Sequence, residues 1–227
     1  MANRSYLYSL SNRPTSYADR PDTISGLSEW AYFVPFSYRL LMSGDPQICS
    51  SLVSDGFDSD PPNKKTKLHA ISSDFDIGFS RLKKFFAVLR PVASGTSTEL
   101  IALLDETVGF LEAHHDHYLL LETIELDCMT EEGEDALRTC VEKEITNCRR
   151  VGAAVDALPG NVIAAGSRLK EAVQKKLDAP LDAFYGLCLD NDFDNVRDEK
   201  TEYPMGLEWS EVLYFELWNR AQFEANR

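Results

Sequence analysis

The sequence has no Cys-x-x-Cys pair: its five cysteines, Cys49, Cys128, Cys140, Cys148 and Cys188, are odd in number and widely spaced. A zinc knuckle needs closer ligand spacing and a disulfide framework an even count, so reduced, mostly buried thiols are expected. Long apolar runs are also missing. Runs such as residues 118–121 fall far short of the roughly 20 residues a membrane helix requires. Residues 1–20 contain Arg4 and Arg13 but no continuous apolar stretch, which argues against a secretory signal and for a cytoplasmic protein. Gly-x-x-x-x-Gly-Lys-Ser/Thr, Gly-x-Gly-x-x-Gly and Gly-x-Ser-x-Gly do not occur, which removes the common nucleotide-binding and serine-hydrolase anchors. No cofactor is expected.

Basic residues are scarce in one region. The chain carries 23 Lys and Arg against 37 Asp and Glu, a net charge of −14. Residues 1–90 hold 11 basic and 9 acidic side chains and residues 91–227 hold 12 and 28, so the two parts carry +2 and −16. Residues 91–137 contain 12 acids and not one Lys or Arg. Nucleic acid is an unsuitable ligand for such a chain, whereas a basic protein is a suitable one.

What is present is the composition of an ordinary globular protein, 44% hydrophobic and 11% aromatic. We expect a mainly helical α+β fold, one domain over residues 1–227, with a mixed portion in residues 1–72 and a helical portion in residues 73–227. In the opening segment Tyr6, Tyr8 and Leu10 alternate with Ser5, Leu7 and Ser9, which predicts a strand. Residues 11–28 read as loop, 30–34 as a second strand, 35–42 as a helix opened by proline and stopped at Gly44, 45–53 as a short helix, and 67–72 as a strand. Helical spacing follows: Phe75, Phe79, Leu82, Phe86 and Leu89, ending near Pro91, then Leu100, Leu104, Val108 and Leu111 behind Thr98 as a cap. Residues 118–127 fit either period, with helix the preferred reading. Residues 131–158 predict the clearest helix, capped by Thr130 and ended by Pro159-Gly160. Further helices are predicted over 162–177, 180–187 and, rich in aromatics, 207–223.

Three histidines cluster in Glu112-Ala113-His114-His115-Asp116-His117. Glu112 and His115 form half of the Glu-x-x-His pair of a di-iron bundle, but the remaining His69 has Thr66 where the second glutamate belongs, so that match fails. Histidines finishing a helix at the negative end of its dipole are the simpler reading, and Glu112, His114, His115 and His117 stay as candidate ligands of a metal-dependent alternative. Asp190, Asp192 and Asp194 alternate as in a calcium loop. Asn195 replaces the glycine and Thr201 the terminal glutamate, so the segment is not an EF-hand. Trp209, Val212, Leu213 and Leu217 would line one face of the last helix, and Tyr214, Phe215 and Trp218 the other, as either core or partner anchors.

Three blocks, residues 1–8 (MANRSYLY), 38–46 (YRLLMSGDP) and 206–211 (GLEWSE), resemble an uncharacterised family of bacterial proteins of about this length. The resemblance implies a bacterial cytoplasmic protein and assigns no chemistry to any residue. The functional expectation is a non-catalytic, acidic protein-binding module of the immunity or antitoxin type, neutralising a basic bacterial toxin. Its candidate contact residues are Glu122, Glu125, Asp127, Glu131, Glu132, Asp190, Asp192, Asp194, Trp209 and Trp218, and a homo-oligomer is left open.

Overall fold

A computed structural model describes residues 3–58, 65–93, 98–189 and 203–226. Its centre is a five-stranded antiparallel sheet built from β1 (Arg4–Leu10), β2 (Ile24–Ala31), β3 (Gln47–Ser50), β6 (His69–Asp74) and β7 (Tyr118–Glu122), in the order β2-β1-β7-β6-β3. Two short strands, β4 (Phe57–Asp58) and β5 (Lys65–Thr66), form a separate pair. The helices are α1 (Phe36–Leu41), α2 (Phe75–Ala93), α3 (Thr98–Ala113), α4 (Ile124–Asp127), α5 (Glu134–Asp156), α6 (Val162–Gln174) and α7 (Arg220–Ala225), with a 3₁₀ turn at Leu181–Phe184. The expected α+β class holds.

Both faces of the sheet are covered, which the alternation in β1 records. Leu7, Ile71, Leu119 and Leu121 point into a core shared with the helices. Tyr6, Tyr8, Leu10, Ala70 and Leu120 point the other way, against Leu52, Leu213 and Leu217. The serines of β1 are buried too, and their hydroxyls donate to main-chain carbonyls, Ser5 to Phe33 at 3.0 Å and Ser9 to His114 at 2.8 Å. A buried hydroxyl with a partner costs little; one without would cost about 1–3 kcal/mol. The helix-side core contains side chains from Leu7 to Leu207, so the mixed and helical portions share it.

Helical stripes place α2, α3 and α5. Phe75, Phe79, Leu82, Phe86 and Leu89 are all buried, and α2 continues two residues beyond Pro91, where the missing amide is confined to the last turn. Gly78 permits the crossing of α1, since a Cβ there would lie 1.8 Å from the Leu41 carbonyl oxygen. In α5, Leu137, Val141, Cys148, Val151 and Val155 are buried as expected. Its start is Gly133 at φ +87°, not Thr130.

Several expectations are corrected. Residues 24–31, read as mostly loop, form β2, because pairing with β1 supplies the backbone partners that a serine- and glycine-rich segment cannot specify alone. Residues 47–50 are strand rather than helix, zipped to β6. Residues 118–122 are the central strand of the sheet, where Leu119, Leu120 and Leu121 are buried on opposite faces; a fully buried strand has no polar face to reveal its period. Residues 180–187 contain only the 3₁₀ turn. Residues 207–219 are an extended strap, and only α7 behind it is helical, closed by a capping box between Asn219 and Gln222. The cysteines are free, but only Cys148 is fully buried and Cys128 is exposed.

Candidate functional site

The twelve acids of residues 91–137 divide into two groups. One group serves the fold. Glu122, at the end of β7, is fully buried and accepts hydrogen bonds from the Ser51 hydroxyl at 2.8 Å and the Leu52 amide at 2.7 Å. Burial pushes its carboxyl up to about 7, against the pull of those two donors and of Arg20. Glu125 accepts from the Tyr6 hydroxyl at 2.9 Å and the Arg4 amide at 3.0 Å. Asp127 accepts from the Thr123 hydroxyl at 2.7 Å, and burial raises it to about 6. Asp116 binds Thr23 and the His117 amide, Glu134 the Lys67 amide, and Asp105 the Arg90 guanidinium. These side chains are pinned by internal partners. The expectation that Glu122 contacts a partner is therefore corrected, since a side chain at 0% exposure presents nothing to solvent.

The second group faces outward. Glu99, Glu106, Glu112, Glu131, Glu132 and Asp135 are exposed and form no ion pair with a described residue. Three of these lie on α3, whose inner side is Leu100, Leu104, Thr107 and Leu111. Its exposed positions are Thr98, Glu99, Ala102, Asp105, Glu106, Gly109, Glu112 and Ala113, so acids are interleaved with small residues. Gly109 has no steric reason within the chain, because a Cβ there meets nothing within 4 Å. A glycine inside a helix costs about 1 kcal/mol relative to alanine. The face is thus flat, negative and locally unoptimised for helix stability.

The histidines at the end of α3 separate. His114 stacks on Phe110 with centroids 4.2 Å apart and directs its two ring nitrogens to the Phe110 carbonyl at 2.9 Å and to Glu211 at 3.3 Å. His115 reaches Asp76 at 2.8 Å, and His117 reaches Asp116 at 3.0 Å. Glu112 stands apart on the outer face. Among the described residues no group of three or more His, Cys, Asp or Glu side chains is placed to hold a metal ion.

Of the two nominated tryptophans, Trp209 is half-buried. Its indole N–H donates to the Thr107 hydroxyl at 2.9 Å, and its ring packs between Tyr38 and Phe110, which fastens the strap to α3. Of the two roles its position offered, core or partner anchor, these contacts are those of the core. Trp218 is 47% exposed. Asp190, Asp192 and Asp194 lie outside the described residues.

One feature escaped the sequence reading. Arg20 is 3% exposed, and its guanidinium lies 4.2 Å from the Tyr17 ring and 4.6 Å from that of Phe223, with no hydrogen-bond partner for its Nε. The contact joins residues about 200 positions apart in a segment read as loop, and no local pattern signals it.

Fold and surface together define an α+β protein whose antiparallel sheet is covered by helices on one face and by its own C-terminal strap on the other. The chain belongs to the family described as Domain of unknown function (DUF7822), which matches residues 11–166. No curated protein and no solved structure matches it. No helix among the described residues is long and apolar enough to cross a membrane.

Proposed function

We propose that this chain is a non-catalytic protein-binding module that meets a basic protein through the outer face of α3, as an immunity or antitoxin protein of the bacterial cytoplasm meets its toxin. The observation that carries this is the unpaired carboxylate set Glu99, Glu106 and Glu112 around the sterically free Gly109. A negative potential accelerates encounter with a positive partner, and small side chains allow its backbone to approach closely. Glu131, Glu132 and Asp135 are further exposed acids without an ion pair to a described residue, and Trp218 is an exposed aromatic. The metal-dependent alternative gains no comparable support, since the three imidazoles turn to different partners.

The test is affinity capture from the native host at low and moderate salt, with the wild-type chain and a Glu106→Lys/Glu112→Lys variant. The expected result is one basic protein, retained by the wild type, released by salt and not retained by the variant. Equal recovery by both chains, or no basic protein, contradicts the proposal.

A further inference from the structure

A cleft of about 580 Å³ opens between the loop at residues 15–18, the chain following β3, the start of β6 and Phe223 of α7. That volume lies within the range of small-molecule sites, roughly 300–1,000 Å³. Its polar groups fall into two kinds. The hydroxyls of Thr15, Ser50, Ser51 and Ser54 donate inward, to Asp19 at 2.8 Å, the Thr15 carbonyl at 3.0 Å, Glu122 at 2.8 Å and the Gly56 carbonyl at 3.2 Å. The Ser51 and Ser54 oxygens also accept, from the Val53 amide at 3.1 Å and the Gly56 amide at 3.2 Å, which leaves Thr15 and Ser50 to offer a ligand oxygen lone pairs and requires the ligand to bring donors.

The second kind is basic. Lys67 lines the cleft and makes no ion pair with a described residue. His69 lines it as well, but burial shifts its imidazole toward the neutral form and its Nε2 is sealed from the cleft. Behind the two aromatic walls, Tyr17 and Phe223, lies the buried guanidinium of Arg20, whose Nε is without a partner. The one acid of the lining, Asp55, is held by Lys65 at 2.6 Å. A chain of net charge −14 thus keeps the Lys67 ammonium on this concavity, and the Arg20 guanidinium against its aromatic walls, with no carboxylate in an ion pair to either among the described residues.

From this pairing of lone-pair acceptors with basic donors we infer that the cleft binds a small hydroxylated anion of the sugar-phosphate class. The hydroxyl groups of the ligand donate to the Thr15 and Ser50 oxygens, and its phosphate faces Lys67. The aromatic walls accommodate the ring.

Isothermal titration of the full chain with ribose 5-phosphate, and separately with ribose and with inorganic phosphate, tests this. Ribose 5-phosphate is expected to bind at least about tenfold more tightly than either fragment. Lys67→Ala is expected to weaken it by about tenfold, the loss of one charge-assisted hydrogen bond. Lys84→Ala, on α2 and outside the cleft, removes the same charge and is expected to leave binding unchanged; circular dichroism verifies that each variant is folded. Absence of binding by ribose 5-phosphate overturns the inference. So does inorganic phosphate binding as tightly as the sugar phosphate, or Lys84→Ala weakening binding as much as Lys67→Ala.

Discussion

Glu122 and Trp209 show what single side chains do here, and each can be measured against a conservative replacement. The Glu122 carboxyl titrates near 4.5 when unfolded and about 7 in the folded chain, because burial disfavours its charged form. Its folded value is raised, so its relative contribution is fully present below pH 4.5 and is lost as pH rises through 7. A shift of that size corresponds to roughly 3 kcal/mol. Glu122→Gln cannot ionise, so its melting temperature relative to wild type is expected to climb as pH goes from 4.5 to 7 and then level off. Asp127 shifts in the same direction in both proteins and cancels from the difference. A difference that stays flat with pH would show that Glu122 keeps an ordinary carboxylate value. Trp209→Phe keeps an aromatic ring but removes the indole N–H that reaches the buried Thr107 hydroxyl. Denaturant unfolding should show a loss of about 1–2 kcal/mol.

Two glycines on helices predict opposite outcomes, and the contrast isolates what α3 is for. At Gly78 of α2 any Cβ collides with the backbone of α1, so Gly78→Ala should be severely destabilising or fail to fold. At Gly109 of α3 the added methyl meets open space, so Gly109→Ala should stabilise the isolated chain by up to about 1 kcal/mol while weakening partner capture, if close approach is what keeps the glycine there. Unchanged capture by the stabilised variant would argue that the glycine is incidental. At this scale much of the fold was legible. The amphipathic stripes of α2, α3 and α5 report themselves because a one-sided helix needs only local spacing. The central strand β7 does not, since Leu119, Leu120 and Leu121 are buried on both faces and erase the period. The strap was misread although it did carry a signal: Leu213, Phe215 and Leu217 alternate with exposed Tyr214, Glu216 and Trp218, a period of two obscured by a surplus of aromatics. The candidate site was half legible, because the acidic run gives the charge, but which acids are spent on Tyr6, Thr123 or Leu52 depends on contacts more than 40 residues away in two of three cases.

The molecule as a whole carries more negative charge than its ion pairs neutralise, and the uncompensated part repels itself across the surface. Raising NaCl from about 0.02 to about 0.3 M shortens the screening length from near 20 Å to near 6 Å. The melting temperature of the isolated chain should therefore rise over that range, and a fall would mean that the internal ion pairs outweigh the repulsion. Self-repulsion that costs the free protein stability is useful if the surface has a positive partner. The most direct measurement of that idea is the association rate of the captured basic protein with the wild-type chain and with Glu106→Lys/Glu112→Lys, followed across salt. The expected result is a wild-type rate that falls steeply as salt rises and a variant rate that starts at least about tenfold lower and changes little. Rates that coincide for the two chains and ignore salt would contradict an α3 face built for a basic protein.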